Sequence, residues 1–143
     1  MSRNQLSQNY DTSKTFVWGN RFQTESYTND TYDPITLATG TVMGRVFATG
    51  KVVPFTSDAV DGSEEPIGVL QEGFVAEGGT TSNVSICVAG DVVQSKLVFA
   101  NGTDTLETQI TNLGNRRVKD AIQGMSVAIK LIASTELSKT DNQ

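Results

Sequence analysis

From residue 34 onward the chain is a succession of short apolar runs broken by glycine-containing or polar stretches. The cleanest is 84–89, where Val84, Ile86 and Val88 alternate with Ser85, Cys87 and Ala89, the period of a half-buried strand. Similar runs at 42–47, 52–55, 67–70 and 127–132 predict further strands, Thr36–Leu37 leads into Gly40, and a further apolar run lies at 92–99. Residues 48–51 form a tight reversal between two of these runs, with Gly50 suited to a positive φ. Pro54 marks an edge or the end of its strand, because it has no N–H to give to a ladder. Residues 56–66 and 73–83 read as loops. Gly90–Asp91 and Asn101–Gly102 read as turns. One helix is predicted over 116–123. Val118, Ala121 and Ile122 lie on one face, Asn115 is the expected cap, and Gly124 stands where a left-handed closing residue belongs. The body is therefore expected to be one small, mainly β domain with a short C-terminal helix. A polar tail follows at 134–143.

The first 33 residues differ. Sixteen of them are Ser, Thr, Asn or Gln, and Leu6 and Val17 are the only aliphatics, so this stretch cannot build a core of its own. It nevertheless holds six of the ten aromatics, among them Phe16, Trp18 and Phe22. Thr15, Phe16, Val17 and Trp18 form a short strand with alternating faces, continued by Phe22 after Gly19–Asn20. Two readings fit: an extended arm that docks on a partner by aromatic anchors and strand addition, or an N-terminal strand folded back on its own domain. The arm reading divides the chain into an arm (1–33), a β domain (34–133) and a tail (134–143). It assigns partner contact to Lys14, Thr15, Phe16, Val17, Trp18 and Phe22.

Composition narrows the function. With no histidine, the chain lacks the commonest general base and metal ligand. One cysteine allows neither an intrachain disulfide nor a cysteine zinc site. A net charge of −5 argues against nucleic acid as a partner, no apolar run is long enough for a membrane span, and residues 1–14 have no apolar signal core. Synthesis in a reducing cytoplasm is expected. Asp58, Asp61, Glu64 and Glu65 lack calcium-loop spacing and read as a solvated loop. Cys87, in an alternating apolar strand with no neighbouring base, reads as a packed thiol. GFVAEGG at 73–79 has no Lys-Ser/Thr and is not a phosphate loop. Arg116, Arg117 and Lys119 read as a solvated helix face or an intersubunit ion pair. No catalytic, metal or cofactor residues are assigned. A binding or structural part is expected rather than an enzyme.

Residues 35–72 closely resemble the lambda-type bacteriophage head decoration (capsid cement) family. The resemblance is carried by G-x-x-x-G-R from Gly40 to Arg45, by the hairpin from Ala48 to Pro54, and above all by DGSEEPIGVL from Asp61 to Leu70. VSICVAGDVV and the late helix extend it over about 34–132. The resemblance implies a β-clip-like small barrel. It implies a homotrimer seated at the three-fold sites of the expanded shell, bound to the major capsid protein on the virion exterior and stabilising the head against packed DNA. It also implies an N-terminal arm that adds a strand to the coat, and 1–33 is longer and more aromatic than the family's arms, long enough to reach a neighbouring trimer. A different virion module (tail, baseplate, host or glycan binder) and a small β-fold enzyme are the alternatives.

Overall fold

A computed structural model describes residues 14–124 and 129–133. Ten strands and one short helix are present among these residues: β1 (Phe16–Thr28), β2 (Ile35–Leu37), β3 (Val42–Arg45), β4 (Val52–Pro54), β5 (Pro66–Leu70), β6 (Phe74–Ala76), β7 (Thr81–Val93), β8 (Gln109–Ile110), β9 (Arg116–Arg117), α1 (Val118–Gln123) and β10 (Ile129–Ile132). The main sheet runs β1-β7-β5-β3-β4, with β10 also paired to β7. All of its pairings are antiparallel except β10 with β7. Two small ribbons, β2-β6 and β8-β9, complete the fold. The expected mainly β domain with one short C-terminal helix is what the chain forms.

The sheet is buried on both faces. Val42, Val69, Cys87 and Val92 point into one core with Phe55, Ile110, Val118 and Ile122. Their sequence neighbours Met43, Leu70, Ile86 and Val88 point into a second core with Tyr27, Leu37, Val52, Ala76 and Val84. That is the period-2 geometry of a strand serving two layers. The sheet also curls. β1 and β3 are separated by β7 and β5 in the strand order, yet Glu25 on β1 meets Arg45 on β3 at 2.9 Å. The guanidinium donates to both Glu25 oxygens and, at 2.6 Å, to the Gly50 carbonyl in the β3-β4 turn. One fork thus ties the β1 edge to the β3-β4 hairpin across the curl of the sheet.

Of the two readings of the N-terminal stretch, the strand folded back on its own domain describes residues 16–28. From Phe16 to Thr28 the chain is not a free arm but the edge strand of the body, paired along β7 from Val92 to Thr81. Its far end is core: Tyr27 is buried with its ring edge-on to Phe74 at 6.0 Å. Asn29 is 0% exposed. The folded-back reading holds for 16–28, because β7 offers a long unpaired edge in the same chain at no cost in association entropy. Residues 1–13 and the tail 134–143 lie outside the described residues.

Smaller corrections have local causes. Gly90–Asp91 is not a turn: β7 runs on to Val93, and Gly90 (φ 104) absorbs an irregularity in its pairing with β1. The loop expected over 73–83 contains β6, which pairs with β2. The helix begins at Val118, not 116, because Arg116 and Arg117 pair with Ile110 and Gln109. Asn115 does not cap it, being itself left-handed (φ 62). The first helical N–H groups donate instead to backbone: Val118 to the Thr108 carbonyl at 2.8 Å and Lys119 to that of Leu106 at 3.0 Å. Those bonds satisfy the orphan donors of the first turn without a side-chain cap. Gly124 is not left-handed (φ −100). A methyl there would strike the Arg116 guanidinium, which donates to the Asp120 carbonyl. The last strand is described from Ile129; Val127 and Ala128 fall outside the described residues.

Candidate functional site: the leading edge of strand 1

The residues singled out for partner contact sit at the start of β1, and the structure sorts them. Lys14 is exposed. The Thr15 carbonyl accepts from Val93 N at 2.9 Å, so the pairing begins one residue before the strand itself. Phe16 and Phe22 face inward against the first core, their rings 5.3 Å apart and nearly perpendicular, a favourable edge-on contact. Val17 is half-buried. Trp18 is 68% exposed. Three side chains of the set are therefore open to a partner to a large degree or at a margin (Lys14, Trp18, Val17), while the two phenylalanines belong chiefly to the body.

A bulge sets Trp18 outward. Trp18 stands opposite Asp91 and Arg21 opposite Ala89, so β1 spends an extra residue where β7 does not. Gly19 (φ 63) and Gly90 (φ 104) supply the backbone freedom. They also supply the space: a methyl on Gly90 would lie 2.6 Å from Asn20 Cα. The Asn20 amide pins the bulge, donating to the Asp91 carbonyl at 3.1 Å and reaching the Ala89 carbonyl at 3.5 Å and Cys87 Sγ at 3.6 Å. Phe16 and Phe22 can both face the core across this irregularity, and Trp18 is left at the surface between exposed Lys14 and exposed Arg21.

The remaining candidates carry packing rather than chemistry. Cys87 is fully buried, its thiol donates to the Ala89 carbonyl at 3.1 Å, and burial pushes its pKa up. In the acidic loop, Asp61 accepts from Ser63 N at 3.0 Å and Ser63 Oγ at 2.6 Å, and these bonds hold its carboxyl below the ordinary range. Glu64 accepts from Gly62 N at 2.9 Å. These are turn-forming bonds, and no group of three or more metal-ligating side chains is assembled among the described residues. The basic cluster is paired within the chain: Arg117 with Glu107 at 3.0 Å and Asp120 at 3.5 Å, Lys119 with Glu107 at 3.2 Å. Sequence reasoning missed the exposure of Phe47 (70%) and Val60 (85%) beside that acidic loop. The run 42–47 predicts Phe47 within a strand; it lies just past β3, where Phe47 N donates to the Asp61 carbonyl and its ring covers Gly62. Only the position of the Ala48–Lys51 reversal hinted that Phe47 had left the ladder.

Residues 19–118 match the family model of the bacteriophage lambda head decoration protein D. The chain belongs to that family. No curated protein sequence matches the chain. Family membership gives it a head decoration role and a place on the phage capsid. The match begins at Gly19, within the bulge, so most of β1 lies inside the family's body. Lys14, Thr15, Phe16, Val17 and Trp18 precede it. The pairing with β7 thus begins at Thr15, ahead of the bulge, and the family match begins within it.

Proposed function

We propose that this chain is a capsid cement. It binds as a homotrimer at three-fold sites of the expanded head, holds neighbouring copies of the major capsid protein together from outside, and catalyses nothing. It is made in the host cytoplasm and added to the shell there. Contact with the coat is carried by the leader, residues 1–13, together with the exposed groups of Lys14 to Trp18. The observation that carries this reading is Trp18: a large aromatic 68% open to water, fixed at the end of a strand bolted to the body, immediately ahead of the family's common region. Such a group contributes little to its own fold and is placed to anchor another.

The physics is linkage. A ligand that binds only the assembled shell stabilises it by mass action. Ordering each leader costs about 2–5 kcal/mol of the gross interaction energy, so a single leader binds modestly. Three leaders on one trimer raise the effective affinity by about 10²–10⁴-fold. A leader tied to a rigid strand also loses less freedom on docking than one hung from a loop, because the last residues before the contact are already ordered.

The test is co-sedimentation with expanded empty shells, using the wild type, a variant lacking residues 1–13 and Trp18→Ala. Removal of 1–13 is expected to abolish binding. Trp18→Ala is expected to weaken it by about 2 kcal/mol, roughly thirtyfold. Full occupancy by the shortened chain would overturn the assignment of the leader. Absence of wild-type binding would overturn the cement reading itself.

A further inference from the structure

We infer that Asn101–Gly102 is a self-modifying site at which the folded chain converts asparagine to aspartate and isoaspartate. It is the sequence's only Asn-Gly pair. The backbone nitrogen of Gly102 attacks Asn101 Cγ, a C–N bond forms, the Cγ–Nδ2 bond breaks, and ammonia leaves with one proton gained as Gly102 N gives one up. Water then opens the resulting five-membered imide at either carbonyl. One water is consumed and one ammonia released, with no oxidant or cofactor.

The turn supplies what each step needs. Glycine at 102 puts no side chain in the path, and a methyl built there meets nothing within 4 Å, so water reaches the imide. The Gly102 N–H donates to the Phe99 carbonyl at 3.0 Å in an exposed turn, where water can replace the bond at little cost. Asn101 Oδ1 accepts two backbone N–H bonds, from Thr103 and from Asp104, both at 3.0 Å. They draw charge from Cγ and would hold the negative charge that develops on Oδ1 as nitrogen adds, the arrangement that stabilises tetrahedral intermediates elsewhere. Asp104 Oδ2 lies 2.9 Å from the leaving nitrogen, Asn101 Nδ2. A carboxyl bonded to that nitrogen is placed to exchange a proton with it as ammonia departs, the Gly102 proton being taken up by solvent. The other asparagines among the described residues precede Arg, Asp, Val or Leu, and Asn20 and Asn29 are tied down by their own bonds.

The reaction also has a structural effect. Asp104 ties this turn to the start of the acidic loop, accepting from Ser57 N at 2.8 Å and Ser57 Oγ at 2.6 Å. Conversion replaces the donor Nδ2 by a carboxylate oxygen facing Asp104. Two like charges at that distance repel, so the 57–104 tie loosens as the protein ages.

Aged samples of the folded chain in mildly alkaline buffer, resolved by ion exchange and peptide mass mapping, test this. Conversion is expected chiefly at Asn101, faster in the folded chain than in the same chain in urea. Asp104→Asn is expected to slow it by about tenfold or more while the protein stays folded. Gly102→Ala is expected to suppress it, with circular dichroism checking that the turn tolerates alanine at φ +73. A folded chain that keeps Asn101 intact while the chain in urea converts, or an Asp104→Asn rate equal to wild type, overturns the inference.

Discussion

Replacing Asn29 by alanine tests whether the leading strand is part of the body. Asn29 follows β1 directly and is 0% exposed. Its amide donates to the Ala76 carbonyl at 2.8 Å and the Asp33 carbonyl at 2.9 Å. Its oxygen accepts from Thr31 N at 2.9 Å and Thr31 Oγ1 at 2.6 Å. The bond to Ala76 is buried, and water does not replace it; stranding that carbonyl costs about 1–3 kcal/mol. The other three lie nearer solvent and contribute about 0.5 kcal/mol each, at the low end for such bonds. The total is about 2.5–4.5 kcal/mol, which for a domain of this size lowers the melting temperature by about 10–18 °C. Asn29→Asp is the sharper variant. It turns the two donated bonds into contacts between a carboxylate and carbonyl oxygens. Burial raises the folded-state pKa of such an acid above its unfolded value. Its penalty therefore grows as pH rises through the unfolded pKa and fades as pH falls and the acid regains a donor. Urea unfolding followed by fluorescence of Trp18 and by circular dichroism measures both. An Asn29→Ala chain within about 0.5 kcal/mol of wild type would show that β1 is merely laid against the body.

Other outcomes follow from the same packing. Phe16→Ala and Phe22→Ala are expected to lose about 1–3 kcal/mol of stability, less than for fully buried rings, whereas Trp18→Ala stays within about 0.5 kcal/mol; equal losses in thermal melts would contradict the inward and outward assignment. Gly90→Ala is expected to cost about 2–4 kcal/mol, from its positive φ and the contact with Asn20, read as a lowered urea midpoint. The Arg45 fork holds the Glu25 carboxyl below its ordinary range. A depressed folded-state pKa gives stability that is complete above the unfolded value and fades as pH falls through the folded one. Glu25→Gln should thus cost about 1 kcal/mol at neutral pH and almost nothing in acid; a pH-independent cost would contradict the ion-pair account.

The strands, the β3-β4 reversal and the late helix were legible because each is a local signal: alternation, a glycine at a reversal, an i, i+3, i+4 face. What was not legible depends on partners distant in sequence. The alternation of 84–89 reads as one buried face, yet Cys87 is as buried as Ile86 because a second layer covers it. β6 was hidden among Gly73, Gly78 and Gly79, and only β2 makes it a strand. Asn115 was a plausible cap until residues 106–108 supplied the acceptors. Of the partner-contact residues, their place on one short strand was readable. That Phe16 and Phe22 turn inward while Trp18 turns out was not, because the bulge opposite Gly90 resets the alternation.

The Arg45–Glu25 fork and the buried Asn29 lie at the far end of β1 from the leader. A leader held by a shell and tugged in line with β1 would load the β1-β7 ladder in shear. Its rungs would then resist together, where a pull across the strand would unzip them one by one. The β1 edge is fastened to β7 as a glued lap joint is, strongest against a pull along its own length.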